Sequence, residues 1–202
     1  MPRLALAICA LWFCSLFVFR TFVQWRTTGS TGFRGFHGRV GSLPWLAGMA
    51  LGIGLVLAVL APLGALLGWP GSALLVSNPA LHLAGACFAG VGLVGALVAQ
   101  FAMGSSWRIG VDESETTELV TDGVFAWVRN PIFSFVWISV VGLVLIVPSV
   151  LSALACVLTV VGIEVQVRAV EEPYLGAAHG EAYARYSTSV GRFVPGVGLL
   201  HG

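Results

Sequence analysis

The chain has 202 residues, 57% of them hydrophobic and 9% charged, with a formal net charge of +1. Soluble domains carry about a quarter charged residues, so this composition excludes an ordinary soluble domain, and no nucleic-acid partner is expected. The surface that these side chains do not cover must be covered by a bilayer.

In chain order, apolar runs occupy residues 4–19, 43–67, 80–103, 132–147 and 150–163. The second and third exceed the roughly 20 residues that a helix needs to cross hydrocarbon; the shorter runs can cross with the help of tilt or flanking residues. The expected fold is all-α, a polytopic membrane helix bundle of about five transmembrane helices with a C-terminal helical hairpin over 131–169 and a cytoplasmic helical tail. Residues 1–103 read as an N-terminal three-helix membrane region and 104–202 as the catalytic region. The first run follows Arg3 as a signal peptide would, but 17–22 offers no small-residue cleavage site, so it reads as a retained helix.

Orientation follows from arginine, because the chain contains no lysine. Arg20, Arg26, Arg34 and Arg39 lie between the first two runs, Arg108 and Arg129 between the third and fourth, and Arg168, Arg185 and Arg192 at or after the end of the fifth. The connections 68–79 and 148–149 carry no charge. By the positive-inside rule the N-terminus faces out and the C-terminus faces the cytoplasm, in an integral protein of a cell inner membrane. All nine acidic residues lie at or after Asp112, which puts the polar chemistry in the second half.

Two glycine patterns and the cysteines take structural readings. The loop 27–42 is glycine-rich but lacks the Gly-Lys-Ser/Thr ending of a phosphate loop, and its Arg34 and Arg39 are expected at lipid headgroups. Gly48 with Gly52, and Ala86 with Gly90, have the spacing that lets helix backbones approach closely. Cys9, Cys14, Cys87 and Cys156 sit within apolar runs with no CxxC or Cys/His cluster, so neither a disulfide nor a metal site is expected.

The stretch WVRNPIFSF, beginning at Trp127, sets Arg129 and Asn130 against the fourth run. Pro131 suits the first turn of a helix, where its missing N–H is not needed. The Pro148–Ser149 connection is long enough only for an antiparallel hairpin, so the returning helix brings Glu171 and Glu172 back to the depth of Arg129. Glu164 and Arg168 stand at i,i+4, either an ion pair holding the hairpin or part of a functional interior. The tail holds Tyr183 and Tyr186 on an expected short helix, then Arg192 and Phe193 after Gly191. It reads as a lid over the hairpin mouth or as an amphipathic surface helix.

The fragments LVTDGVFAWVRNPIF, EEPYL, GEAYARY and VGRFVP, in this order and spacing, resemble the isoprenylcysteine carboxyl methyltransferase and phospholipid methyltransferase family of integral-membrane enzymes. The resemblance covers about half of the chain. It implies S-adenosylmethionine as the cofactor, held between the last membrane helices and the tail. The family pattern carries His and Tyr where this chain has Asn130 and Phe133. Asn130 keeps a hydrogen-bonding side chain but does not titrate near neutral pH.

For such a cofactor, Arg129 is expected to hold the carboxylate, Glu171 or Glu172 to accept from ribose hydroxyls or the ammonium, and amides near Gly123 to receive the adenine. Asn130, Pro131 and Tyr183 complete the cofactor set. Arg129, Glu171 and Arg192 are the expected catalytic residues, Arg192 steering an anionic acceptor while Tyr183 and Tyr186 close the site. The acceptor is expected to be a lipophilic molecule from the bilayer, and membrane lipids the surroundings. Two alternatives stay open here: a nicotinamide-dependent membrane reductase of the sterol reductase type, and a non-enzymatic bundle.

Overall fold

The computed structural model describes residues 1–33, 38–108, 110 and 118–200. Four helices are long and apolar enough to cross a membrane: α1 (Pro2–Thr28), α2 (Leu43–Leu67), α3 (Pro79–Ala102) and α5 (Val150–His179). The shorter apolar helix α4 (Pro131–Ile146) precedes α5, and α6 (Glu181–Ser189) belongs to the tail. The chain thus folds as a helical membrane bundle, with lipid-facing side chains such as Phe13, Leu67, Leu83 and Val94 exposed and small ones such as Ala61, Ala89 and Ala96 buried. Inside a bilayer there is no hydrophobic drive between helices, so close backbone approach through small residues does the packing.

That packing is antiparallel in two pairs. α3 runs against α4: a Cβ at Gly142 would lie 2.5 Å from the Ala89 nitrogen, and one at Gly85 would lie 2.6 Å from the Gly142 carbonyl. α2 runs against α5: a Cβ at Gly162 would lie 2.6 Å from the Leu51 nitrogen. The expected small-residue pairs are corrected here, because Gly52 and Gly90 face open space with nothing within 4 Å. Periodicity on an all-apolar helix cannot tell the lipid face from the protein face, and α4 has almost no polar residue to mark either.

The hairpin turn forms at the expected place. Ser149 and Ser152 cap α5 reciprocally, with Ser152 N donating to Ser149 Oγ (3.2 Å) and Ser149 N to Ser152 Oγ (3.1 Å). The uncharged 68–78 connection is tied to this turn by Leu75 N–H on the Pro148 carbonyl (2.8 Å) and Leu151 N–H on the Gly71 carbonyl (3.0 Å). One end of the bundle is therefore sealed by backbone hydrogen bonds. Apart from Arg3, the charges of the described residues gather at the other end.

Two helices run further than their apolar runs. α1 was expected to end at Phe19 with Arg20 in a loop, but it continues through a π-turn (Cys14–Phe19) to Thr28, and Arg20 is buried. The Arg20 guanidinium donates to Gln24 Oε1 (3.0 Å) and to the Gly104 carbonyl (2.7 Å) and lies 4.5 Å from the Trp107 ring, so it closes the open carbonyls at the end of α3. The hairpin is expected to end at 169. Instead α5 continues through a second π-turn (Val167–Glu171) and carries Glu172 to His179 in the same helix. At about 1.5 Å per residue it spans about 45 Å, longer than the roughly 30 Å of hydrocarbon, so its last turns project beyond the bilayer. Pro173 falls in the first turn after the π-turn, where a missing N–H is tolerated.

Candidate functional site

At the charged end the chain before α4 and the tail after α6 run side by side. Arg129 N–H donates to the Gly191 carbonyl (2.8 Å) and Asn130 N–H to the Arg192 carbonyl (3.0 Å), a short parallel bridge that pairs Val128 with Gly191. The Asn130 amide adds a bond to the same Arg192 carbonyl (3.2 Å), and Ser134 Oγ donates to the Phe193 carbonyl (2.7 Å). Gly191 has to be glycine. A Cβ there would collide with the Val194 carbonyl, the close approach that folds 191–197 back on itself.

This pairing brings Arg129 and Arg192 onto one carboxylate. Arg129 Nη2 lies 2.7 Å from Glu172 Oε1; Arg192 Nε lies 2.8 Å from Oε1 and its Nη2 2.9 Å from Oε2. All three side chains are buried. Arg129 spends its remaining donors on the carbonyls of Ser187 (3.0 Å), Val190 and Gly198 (3.0 Å), leaving its buried Nε without a partner. Hydrogen bonding to the Glu172 carboxylate holds the Arg192 guanidinium above its ordinary pKa.

Hairpin topology implies the meeting of Arg129 with Glu172; Arg192 joins them from the tail, and all three are engaged with each other and with tail backbone. The carbonyls of Ser187, Val190 and Gly198 are not readable from sequence, since backbone acceptors leave no residue signature. Tyr183 is buried beside them, its ring 6.4 Å from that of Tyr186, and burial pushes its phenol up to about 12. The Tyr186 phenol, also raised by burial, donates to the Phe125 carbonyl (2.6 Å), tying α6 to the Gly123–Ala126 turn. Gly123 opens that turn at φ 57°, exposed and with nothing within 4 Å of its Cβ position. An open cleft of 470 Å³ is lined by Leu119 and Thr121 and by Ala182, Arg185, Tyr186 and Ser189 of α6.

The other expected charges take different places. Arg168 Nε donates to Glu164 Oε1 (2.6 Å), the i,i+4 ion pair, with Glu164 Oε2 buried and unpartnered. Glu171 is half-buried one residue from Glu172, and neighbouring residues on a helix do not face the same way. Phe133, in the family's tyrosine place, packs with Trp137, Val136 and Ile163 against Phe193. Arg39 is exposed in a turn, and Arg34 lies outside the described residues. Among the described residues the four cysteines are free.

A family model described as phospholipid methyltransferase matches residues 80–182, which is 103 of the 202 residues. The chain belongs to that family of membrane methyltransferases and is an integral membrane protein. No curated protein matches it. The match runs from α3 through the first residues of α6, so Gly123, Arg129, Asn130, Pro131, Glu171 and Glu172 fall inside it, while Tyr183, Tyr186 and Arg192 fall outside.

Proposed function

We propose that this protein transfers the methyl group of S-adenosylmethionine to a lipophilic acceptor at the cytoplasmic membrane interface. The observation that carries the reading is that the family match encloses both pieces of the charged niche, the Arg129–Asn130–Pro131 entry to α4 and the Glu171–Glu172 stretch of α5. Family membership favours methyl transfer over a nicotinamide reductase or a purely structural bundle. Unspent polar groups fit a charged, water-borne donor: Arg129 Nε is buried without a partner, and Glu171 takes no part in the arginine cluster.

When bound, S-adenosylmethionine supplies a methyl group on a sulfonium centre, and transfer is an in-line displacement that needs alignment and exclusion of water more than acid–base chemistry. Arg129, Glu172 and Arg192 clamp the tail against the hairpin and form one wall of the niche. Glu171 receives hydroxyl or ammonium donors, the backbone at Gly123 receives the base, and Asn130 and Pro131 set the start of α4. Tyr183 and Tyr186 close the tail side as neutral phenols. The acceptor enters from the lipid side, where Phe133, Trp137 and Phe193 make an apolar flank.

The arginine bias supports a cytoplasmic position for this end. The test is transfer of labelled methyl from S-adenosylmethionine into the organic phase of a lipid extract. Inverted membrane vesicles expressing the chain should show it and sealed right-side-out vesicles should not, because the donor does not cross the bilayer. Equal labelling in vesicles lacking the chain would defeat the reading.

A further inference from the structure

Arg108 has a part at this end of the bundle that its place in the sequence does not reveal. It follows Trp107, which is buried and packed against Arg20 and Gly32, so the connector leaves α3 with a fixed direction. The Arg108 guanidinium then lies 5.0 Å from the centre of the Tyr174 ring on α5. Its Nη1 is buried, with no hydrogen-bond partner among the described residues. A guanidinium over a phenol face is well placed but electrostatically unfinished, since the ring does not neutralise its charge.

Glu171 stands three residues before Tyr174 on the same helix, a spacing that puts the two on one face. Arg108 and Glu171 act on each other electrostatically, yet no hydrogen bond joins the Glu171 carboxylate to a described residue. Every other described arginine from the connector onward is committed to a carboxylate: Arg129 and Arg192 to Glu172, Arg168 to Glu164, Arg185 to Glu181. Among the described residues, Arg108 thus keeps an unpartnered N–H and Glu171 accepts no hydrogen bond, and neither side chain joins the Glu172 cluster.

We infer that Arg108 and Glu171 bind the zwitterionic amino-acid end of the methyl donor, Arg108 taking its carboxylate and Glu171 its ammonium group. The inference rests on the donor reading above and relocates the carboxylate contact from Arg129 to Arg108. One cation and one anion acting on each other, neither hydrogen-bonded to a carboxylate or guanidinium among the described residues, match the two opposite charges that an α-amino acid carries on neighbouring atoms. Arg129 is poorly suited to that contact because carboxylate and carbonyl oxygens already take its Nη donors.

Calorimetric titration with two ligands isolates the contact. S-Adenosylhomocysteine carries the amino-acid end; methylthioadenosine shares the nucleoside and sulfur but lacks it. Arg108→Ala should weaken S-adenosylhomocysteine by about tenfold or more, as loss of a charged hydrogen bond implies, and leave methylthioadenosine unchanged. Glu171→Gln should show the same selectivity, and Arg108→Lys, which retains a cation and serves if the alanine variant is unstable, should recover part of the loss. Equal losses for both ligands, or none for either, overturn the inference while leaving the donor reading intact. Wild-type protein that binds neither ligand overturns the donor reading and this inference together.

Discussion

Glu172 holds two guanidinium groups at 2.7–2.9 Å, and none of the three side chains has water to fall back on. Removing the charge from such a cluster leaves buried cations uncompensated, which costs about 3–5 kcal/mol where a buried pair is broken. Glu172→Gln is therefore expected to lower the melting temperature of the detergent-purified protein sharply. Glu171→Gln, beside it, should leave melting near wild type and reduce donor affinity. Thermal melts and calorimetry on the two variants check this contrast, and the reverse pattern would exchange their roles. The sequence displays both glutamates as one motif. Their separation is a consequence of helical geometry: adjacent positions point to different neighbours, Glu172 toward the tail and Glu171 toward the connector.

At the scale of elements, α3 meets α4 through Gly85 and Gly142, where backbones touch and no side chain fits between. Gly142→Ala would put a methyl 2.5 Å from the Ala89 nitrogen, forcing the helices apart at about 1–3 kcal/mol, the usual range for overpacking. Gly90→Ala, in open space on the same helix face as lipid, should be neutral or stabilising by up to about 1 kcal/mol, the difference in helix propensity. Unfolding in mixed micelles measures both. The existence and order of the helices were legible from the apolar runs, and so was the hairpin, because Pro148–Ser149 permits no other connection. The extensions of α1 and α5 were not. In each a π-turn precedes a charged residue that the fold buries, Arg20 and Glu172, and a charge at the end of an apolar run reads as a boundary unless its partners are known.

Across the whole molecule, polarity is divided between the two ends of the bundle. One end is closed by backbone bonds between the 68–78 connection and the hairpin turn; the other collects the paired arginines and glutamates and the folded-back tail. This division was readable from charge alone. The identity of each contact was not, because Arg108, set apart from the motif residues, gains its meaning only when α5 extends far enough to bring Tyr174 beneath it. A donor from water and an acceptor from lipid can meet only where those two solvents adjoin, and the charged end is that place. Photo-crosslinking with an azido-adenine analogue of S-adenosylmethionine, followed by mapping of the labelled peptides, tests this most directly. The label should fall within 118–131 or 164–192 and be displaced by S-adenosylhomocysteine; displaceable labelling confined to 68–79, at the opposite end, would contradict the account.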